Sequence, residues 1–368
     1  MTTHRSKPLP VTRRRRGHAH PRDNPSLPEV INTDAELDEV LTRPRPVLVE
    51  FIRSVSSPLV ILGAGGKMGP TLAALAQRAA KQAGHALKVI AVSRFSDAAA
   101  KHWLEQQGVK TVSADLLERK QVERLPDSTN IIYLVGQKFG TKQNPAATWA
   151  VNIVAPAHAA ERYKGSRIVA LSTGNVYPLV EVKRGGADEE RALTPLGEYA
   201  NAAVARERLF EHFSRKQGTP VALLRLSYAT ELRYGVLADI ARKVHGGVAI
   251  DVTSGHFNCI WQGDANEMIL RSLPLAGSPP LAINLTSPDI YPVRGLATQF
   301  AKLLGRPARF VGAESGSAFL SNTNRMRTAL GRPPTDLEAV IRWTAHWVRS
   351  GGRSLNKPTR FETRDGAY

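Results

Sequence analysis

Cysteine is almost absent from the chain: Cys259 is the only one among 368 residues. An intramolecular disulfide is therefore excluded, and nothing in the cysteine content indicates an oxidising compartment. Long apolar runs are also missing, because stretches such as VALLRL at 221–226 are long enough for a strand and far too short for a membrane span. These features predict a cytoplasmic protein without a membrane segment.

A cleavable leader is not indicated either. Four consecutive arginines, Arg13 to Arg16, are typical of twin-arginine export signals, but no apolar segment of the kind that such signals need follows them. Residues 1–32 are rich in proline, arginine and histidine and poor in large apolar side chains. Because such a segment cannot bury enough apolar surface to fold, we expect a disordered basic tail there.

The net charge of +18, from 50 Lys and Arg against 32 Asp and Glu, favours anionic partners. Apart from residues 5–22 the basic residues are scattered, and no helix-turn-helix, zinc-finger or RNP pattern is present. Nucleic acid is therefore disfavoured as the partner, and a field that attracts a phosphorylated cofactor is the simpler interpretation. The sequence also contains no Ser–His–Asp order and no spacing typical of metal ligands.

The distribution of apolar residues predicts a helical extension followed by a Rossmann-type α/β fold. Residues 33–42 and 47–55 each fit a short helix, which gives an N-terminal helical extension over 33–57. From Pro58 onward, apolar strands alternate with helices, as in a doubly wound parallel sheet covered on both faces. We assign 58–230 to this nucleotide-binding domain and 231–368 mainly to a smaller α/β substrate lobe, interleaved with the last strands. The predicted strands are 59–62, 89–92, 111–114, 131–135, 167–171, 221–226 and 281–285.

The clearest motif is LVILGAGGKMGPTLAALA at 59–76, a strand, a glycine-rich turn and a helix in succession. Glycine permits the tight turn and lets backbone N–H groups approach a pyrophosphate, while the helix N-terminus supplies partial positive charge. The motif therefore predicts a dinucleotide site. Its expected contact residues are Gly63, Gly65, Gly66, Lys67, Met68 and Gly69.

The end of the second strand bears on the choice of cofactor. An acid at this place would bind the adenosine ribose and repel a 2′-phosphate, but the sequence has Ser93 and Arg94. A guanidinium matches phosphate geometry, and Lys67 is close enough in the motif to assist. The sequence thus favours NADP(H) with NAD(H) as the alternative; a solvated Arg94 at a strand end is the other interpretation.

With these motifs in place, residues 58–350 resemble the extended short-chain dehydrogenase/reductase family of the NAD-dependent epimerase/dehydratase type. The similar segments are GAGGKMG at 63–69, ADLLE at 114–118, IIYLVG at 131–136, STGNVYP at 172–178 and EYANAAVARERLFE at 198–211. The resemblance implies catalytic roles for Thr173, Tyr199 and Asn152. It implies cofactor contacts from Asp115, Leu116, Val135 and Gly136.

One catalytic position departs from the family pattern. A tyrosine exchanges a proton with an alcohol near neutral pH only if a nearby positive charge stabilises its phenolate, and the family supplies a lysine four residues later. Here that residue is Ala203. Arg206, seven residues after Tyr199 and so on the same helix face, is one candidate substitute; Lys138 and Lys142 are others. Arg206 in a surface or lobe-bridging salt link is the alternative.

Several polar and basic residues are candidate substrate contacts in the expected cleft. They are Asn175, Tyr177, Arg233, His256 and Asn258, with Glu231 and Tyr234 as further polar residues of the expected cleft. Phe257 stands where sugar-nucleotide members of the family usually have an arginine, which argues against a nucleotide-sugar substrate.

The sequence leaves two functions open. The first is an NAD(P)-dependent oxidoreductase or epimerase acting at a hydroxyl or keto carbon of a sugar-like or other hydroxylated small molecule. The second is a catalytically impaired NADP(H)-binding sensor or scaffold, which Ala203 and the basic tail favour. The family resemblance also implies a homodimer formed through the helices that carry Asn152 and Tyr199.

Overall fold

The computed structural model describes residues 27–357 and 359–367. The expectation of a disordered basic tail over residues 1–26 lies outside the described residues. The described helices are α1 Asp34–Leu41, α2 Pro46–Ile52, α3 Gly69–Gln82, α4 Ala98–Gln106, α5 Arg119–Glu123, α6 Pro145–Arg162, α7 Gly197–Gln217, α8 Val236–His245, α9 Gln262–Arg271, α10 Val293–Leu304, α11 Asn324–Leu330 and α12 Leu337–Arg349. The described strands are β1 Leu59–Leu62, β2 Val89–Ser93, β3 Lys110–Ser113, β4 Asn130–Tyr133, β5 Arg167–Thr173, β6 Val180–Glu181, β7 Val221–Leu226, β8 Ala229–Thr230, β9 Ile250–Asp251, β10 His256–Phe257, β11 Ile260–Trp261, β12 Leu281–Leu285, β13 Tyr291–Pro292, β14 Phe310–Val311 and β15 Ser317–Ala318.

Seven strands form the central sheet in the order β12-β7-β5-β4-β1-β2-β3, and every neighbouring pair is parallel. The predicted α/β class with a doubly wound parallel sheet is therefore confirmed. The strand order reverses between β1 and β4, because the chain runs from β1 outward through β2 and β3 before β4 pairs on the other side of β1. A crevice at the carboxyl ends of the strands at such a point is the usual ligand site of open α/β sheets.

Helices cover both faces of the sheet, as the nearly continuous apolar strands require. One face packs against α3 and α9 through Leu72 and Met268, among others, and the opposite face against α6 and α7 through Ala159 and Phe210. A further apolar cluster joins α8, α10 and α12, with Trp343 fully buried at its centre. This lobe cluster is the core of the smaller C-terminal lobe, whereas the cluster of α3 and α9 is called the sheet cluster.

The two N-terminal helices connect these cores. Thr33 caps α1 by accepting from the backbone N–H of Glu36, as the sequence pattern predicts. Leu37 of α1 is buried in the lobe cluster, whereas Leu48 of α2 is buried in the sheet cluster. The predicted tail, residues 1–32, includes one residue that packs in the core. Ile31 is fully buried in the lobe cluster, where its side chain packs together with those of α1.

None of the helices in the described part of the chain is both long enough and apolar enough to cross a membrane.

Candidate active site

The glycine-rich turn between β1 and α3 lies against the end of β4. Gly63 has a φ of +85°, and a Cβ on it would stand 2.8 Å from Val135 Cγ2. A Cβ on Gly69 would stand 2.5 Å from Ala64 Cα, so the start of α3 approaches the turn too closely for a side chain. Gly65 and Gly66 are exposed. The turn thus leaves open backbone beside a helix N-terminus, an arrangement that fits a dinucleotide pyrophosphate.

The end of β2 lies beside this turn. A Cβ on Gly65 would stand 2.5 Å from Ser93 Oγ. The Arg94 side chain is 69% exposed, and its Nη1 lies 3.8 Å from Asp115 Oδ2. Leu116 next to Asp115 is buried and its carbonyl lies 2.9 Å from His158 Nδ1. Arg94, which follows Ser93 in the chain, therefore forms an ion pair with Asp115 close to the glycine turn.

A cavity of about 220 Å³ continues from the glycine turn across the ends of β4, β5 and β7. Its walls come from both halves of the chain. They are formed by Lys67, Met68, Leu134, Gly136, Lys138, Leu171, Ser172, Thr173, Gly174, Asn175, Tyr199, Arg206, Leu226, Ser227, Tyr228, Ala229, Tyr234, Phe319 and Thr359.

Thr173 ends β5 at this cavity. Its hydroxyl donates to Asn175 Oδ1 at 3.0 Å and accepts from the Asn175 backbone N–H at 3.2 Å, which caps a single 3-10 turn over Gly174–Val176. The hydroxyl therefore does two things: it closes the turn and it lies in the cavity wall. Asn175, an expected substrate contact, lies in the same wall.

Tyr199 and Arg206 reach the cavity from one face of α7. Tyr199 is 9% exposed and Arg206 is 4% exposed. Arg206 Nη1 donates to the carbonyl of Val135 and to Asn152 Oδ1, both at 3.0 Å, and a Cβ on Gly136 would stand 2.5 Å from this nitrogen. Three expected site residues therefore converge on one guanidinium. Asn152 is itself fully buried.

The alternative of a salt link for Arg206 is wrong. Among the described residues the guanidinium bonds to a carbonyl and an amide oxygen and to no carboxylate, and its Nε has no hydrogen-bond partner there. The small residues beside it explain this placement, because Gly136 leaves space for the side chain to turn inward. Ala203, one turn earlier on α7, is fully buried and contributes no polar group.

Two lysines also belong to this cavity. Lys67 Nζ donates to the carbonyl of Ala229 at 2.6 Å and lies 3.8 Å from the ring centroid of Tyr234. Lys138 Nζ lies 5.9 Å from the ring centroid of Tyr228. Burial lowers the pKa of Lys67 to about 7 and that of Lys138 to about 8, because desolvation penalises an ammonium ion. Lys67 therefore points toward β8 and the lobe. The sequence had suggested instead that it assists Arg94.

Two expected substrate residues have structural partners instead. Tyr177 is 1% exposed, and its hydroxyl donates to Asn284 Oδ1 at 2.9 Å while accepting from Arg225 at 2.7 Å. Arg233 is bound by Glu231, Asp34 and Asp38 at 2.9 to 3.0 Å. Its guanidinium joins the lobe to α1 and lies outside the cavity wall.

Asn258 and His256 are not cavity residues either. Asn258 is fully buried; its amide donates to the carbonyls of Ser287 and Asp289 and accepts from the backbone of Ser321. His256 lies in the antiparallel pair β10–β13. Their residue types alone suggested ligand contacts, but the position of each residue is fixed by partners from segments distant in the sequence.

The sequence missed several cavity residues. Phe319 and Thr359 come from the C-terminal segments, where the pattern carried no motif. Tyr228 has a φ of +39°, which is uncommon outside glycine and clusters at functional sites. Tyr234 was among the polar residues of the expected cleft, and the cation–π contact with Lys67 gives it a specific place there.

An open parallel sheet with a glycine turn at its switch point, and a Thr–Tyr cavity next to that turn, defines a Rossmann-fold dinucleotide-binding protein. The sequence narrows this class. Residues 59–255, just over half of the chain, match the model of the NAD dependent epimerase/dehydratase family, and the chain belongs to that family. No curated protein matches the sequence.

Solved structures resemble the fold over most of the chain. UDP-glucose 4-epimerase from Thermotoga maritima, solved with UDP-glucose, has 17% identity and a TM-score of 0.65, covering 80% of this chain and 99% of its own. The Thermus thermophilus UDP-glucose 4-epimerase complex with NAD has 18% identity and a TM-score of 0.65, with the same coverage. UDP-glucuronic acid 4-epimerase from Bacillus cereus, also with NAD, has 14% identity and a TM-score of 0.66, covering 81% and 99%. At these identities the likeness shows the fold alone.

Proposed function

We propose that the protein is an NAD(P)-dependent enzyme that oxidises, reduces or epimerises a hydroxyl or keto carbon of a sugar-like or other hydroxylated small molecule in the cytoplasm. The observation that carries the proposal is the shared cavity. Thr173 and Tyr199, the pair that the family uses for proton transfer, lie in the same walls as Lys67 and Met68 of the glycine turn. A substrate in this cavity contacts both the cofactor side and the proton-transfer side.

In this proposal Tyr199 exchanges the proton of the substrate hydroxyl, and Thr173 orients the substrate oxygen. When bound, the nicotinamide supplies the hydride acceptor or donor at that carbon. As the alcohol is oxidised, its O–H proton passes to the Tyr199 phenolate while the C–H electron pair leaves with the hydride. Reduction reverses both transfers, and an epimerase performs them in succession on opposite faces of the carbon.

Arg206 takes the electrostatic role of the lysine that Ala203 replaces. The two side chains of α7 lie seven residues apart and therefore on one helix face. Its buried guanidinium, which has no carboxylate partner in the described residues, lines the same cavity as Tyr199 and favours negative charge that develops there during proton transfer. Because arginine stays protonated, it cannot carry protons onward. Asn152 and the carbonyl of Val135 act as positioning groups for its Nη1.

The cofactor proposal is NADP(H), with NAD(H) as the alternative. Gly63, Gly65, Gly66 and Gly69 form the pyrophosphate cradle. The exposed guanidinium of Arg94 supports a 2′-phosphate contact, while Asp115 beside it favours the adenine. NAD(H) is the alternative because structures of similar fold were solved with NAD.

The first experiment combines binding and turnover. We expect NADPH to bind more tightly than NADH. Arg94→Ala should lower the ratio of the two affinities about tenfold, since charge-assisted hydrogen bonds contribute roughly 1.5–3 kcal/mol. Equal binding of both cofactors in both proteins would overturn the NADP(H) assignment. Binding of neither cofactor would overturn the enzymatic proposal.

The second arm uses turnover of a panel of polyols, hydroxy acids and sugars. Tyr199→Phe and Arg206→Met should each lower kcat by about 10²-fold or more while the cofactor Kd changes little. Arg208→Met is the matched control, because Arg208 is 65% exposed and pairs with Glu211 on the outer face of α7. A chain that binds cofactor yet turns over no substrate, with or without Tyr199, would instead favour the sensor or scaffold that Ala203 suggests.

By resemblance we also propose a homodimer formed through α6 and α7. Val154 of α6 is 38% exposed, which is consistent with a partner there. Sedimentation analysis of the wild-type chain tests the proposal, and a monomer at all concentrations would contradict it.

A further inference from the structure

The walls of the cavity carry positive charge without acidic side chains. Lys67, Lys138 and Arg206 line it, and within the described residues no Asp or Glu does. The acids that act electrostatically on Lys67 have partners of their own: Glu231 pairs with Arg233, and Asp239 accepts from the backbone N–H and the hydroxyl of Thr359. Burying several cations beside each other is costly unless an anion compensates them.

Lys67 is the most informative of the three. Although it belongs to the glycine turn, its Nζ is held on the opposite side of the cavity by the Ala229 carbonyl and the face of Tyr234. Among the described residues neither partner is charged. The ammonium is therefore fixed in place by neutral groups, and its remaining N–H groups are available to an acceptor inside the cavity.

We propose that the cavity selects substrates carrying an anionic oxygen group, a carboxylate or a phosphate, close to the reacting carbon, and that Lys67 with Lys138 binds this group. The inference deepens the proposed function and rests on it, since it names the substrate class of the same cavity. Lys67 is assigned to specificity, whereas Tyr199, Thr173 and Arg206 keep the roles given above.

The cofactor pyrophosphate is the competing source of such an anion. Two observations favour the substrate. The open backbone at Gly65 and Gly66 and the N-terminus of α3 already serve a pyrophosphate. The Nζ of Lys67 instead lies against β8 and Tyr234, which the second half of the chain contributes to the cavity.

The test uses matched probes that differ in charge. Full-length protein saturated with its oxidised cofactor is titrated calorimetrically with D-glucuronate against D-glucose, glycolate against ethylene glycol, and inorganic phosphate. We expect at least one anion to bind about tenfold or more tightly than its neutral counterpart. Lys67→Met, which removes the charge and keeps an unbranched side chain one atom shorter, should remove this preference.

Lys183→Met is the control, because the Lys183 side chain is 84% exposed and lies outside the cavity wall; we expect it to leave the preference unchanged. Equal affinity for anionic and neutral probes in the wild type, or no anion binding, would overturn the inference. So would a Lys67→Met protein that loses cofactor affinity but keeps the anion preference, since Lys67 would then serve the pyrophosphate.

The same titration without cofactor separates this inference from the proposed function. A chain that binds no nicotinamide dinucleotide fails as the proposed enzyme, but the anion preference of its cavity and the effect of Lys67→Met remain measurable. A circular dichroism melt of each variant establishes that it is folded before binding is compared.

Discussion

The protonation state of Lys67 gives the cavity a specific pH dependence. Desolvation lowers the pKa of Lys67 to about 7; Glu231 and Asp239 oppose this shift, whereas Arg233 and Lys138 add to it, and the neutral ring of Tyr234 covers the Nζ. Below this pKa the side chain is an ammonium ion that binds an anion. Above it the side chain is neutral, so the charge that attracts the anion is lost.

We therefore expect the affinity for an anionic probe to be highest below pH 7. It should fall by up to about tenfold for each pH unit above that value, because binding requires one proton that the free protein no longer holds. Calorimetry in buffers of different ionisation enthalpy should detect proton uptake on binding. Lys67→Met should lose the part of the slope that begins at about pH 7 and keep only the part that begins at about pH 8, where Lys138 loses its proton. A wild-type affinity that is constant from pH 6 to about pH 9 would contradict the prediction.

At the residue scale, Lys138 and Tyr234 of the cavity were named from charge or polarity alone, whereas motifs gave both the position and the expected role of a residue. Thr173 and Tyr199 were found in this way, and Asn175 follows Thr173 in the same motif. Tyr177 and Asn258 were misassigned because their hydrogen-bond partners lie far away in the sequence. Tyr177 bonds to a residue about 100 positions away and Asn258 to residues about 30 to 60 positions away, which no local pattern reveals. The direction of the Lys67 side chain is likewise set by Ala229, from a distant segment.

At the scale of elements, the strands of the central sheet were predictable because buried parallel strands are apolar throughout and are separated by long helices. The end of β4 was placed two residues late, at 135, since Leu134 and Val135 continue the apolar run although the strand ends at Tyr133. The helices α5 and α11, of five and seven residues, were not predicted, because so short an apolar pattern gives little periodic signal.

The attachment of α1 to the lobe depends on the Arg233 guanidinium. Arg233 is 9% exposed and Glu231 only 2%, so Arg233→Met leaves a buried carboxylate without its cation. Breaking a buried pair on one side costs about 3–5 kcal/mol. We expect urea unfolding of Arg233→Met to show a loss of this size, with cofactor affinity unchanged in the protein that remains folded.

Arg353→Met is the matched comparison, because Arg353 binds the same Asp34 but is 55% exposed. Exposed pairs contribute about 0–1 kcal/mol, so this variant should unfold close to the wild type. If Arg233→Met kept wild-type stability but lost substrate binding, the role of Arg233 would be that of a substrate contact after all, and the structural assignment would be wrong.

At the scale of the whole molecule, the C-terminal segment after α12, described at residues 350–357 and 359–367, contacts both halves of the chain beside the cavity. Thr359 lies in the cavity wall and donates to Asp239 of α8, and Phe361 is buried in the lobe core. Arg364 donates to the carbonyl of Ser317 at 2.6 Å. A Cβ on Gly197, at the start of the helix that carries Tyr199, would overlap the carbonyl of Gly366. The segment thus contacts both the lobe and α7, the helix that carries Tyr199.

A chain ending at Asn356 should therefore lose both stability and turnover but keep cofactor binding. The loss of Phe361 alone should cost about 3–5 kcal/mol, because a buried aromatic side chain leaves the core. The removal of Thr359 opens the cavity wall on the side where Lys67 and Tyr234 meet, while the glycine turn remains intact. Urea unfolding, cofactor titration and turnover measure the three effects separately.

A chain ending at Gly366 retains Thr359, Phe361 and Arg364 and should behave like the full chain. A folded chain ending at Asn356 with full turnover would show that the cavity is complete without the segment, and that Thr359 only borders it.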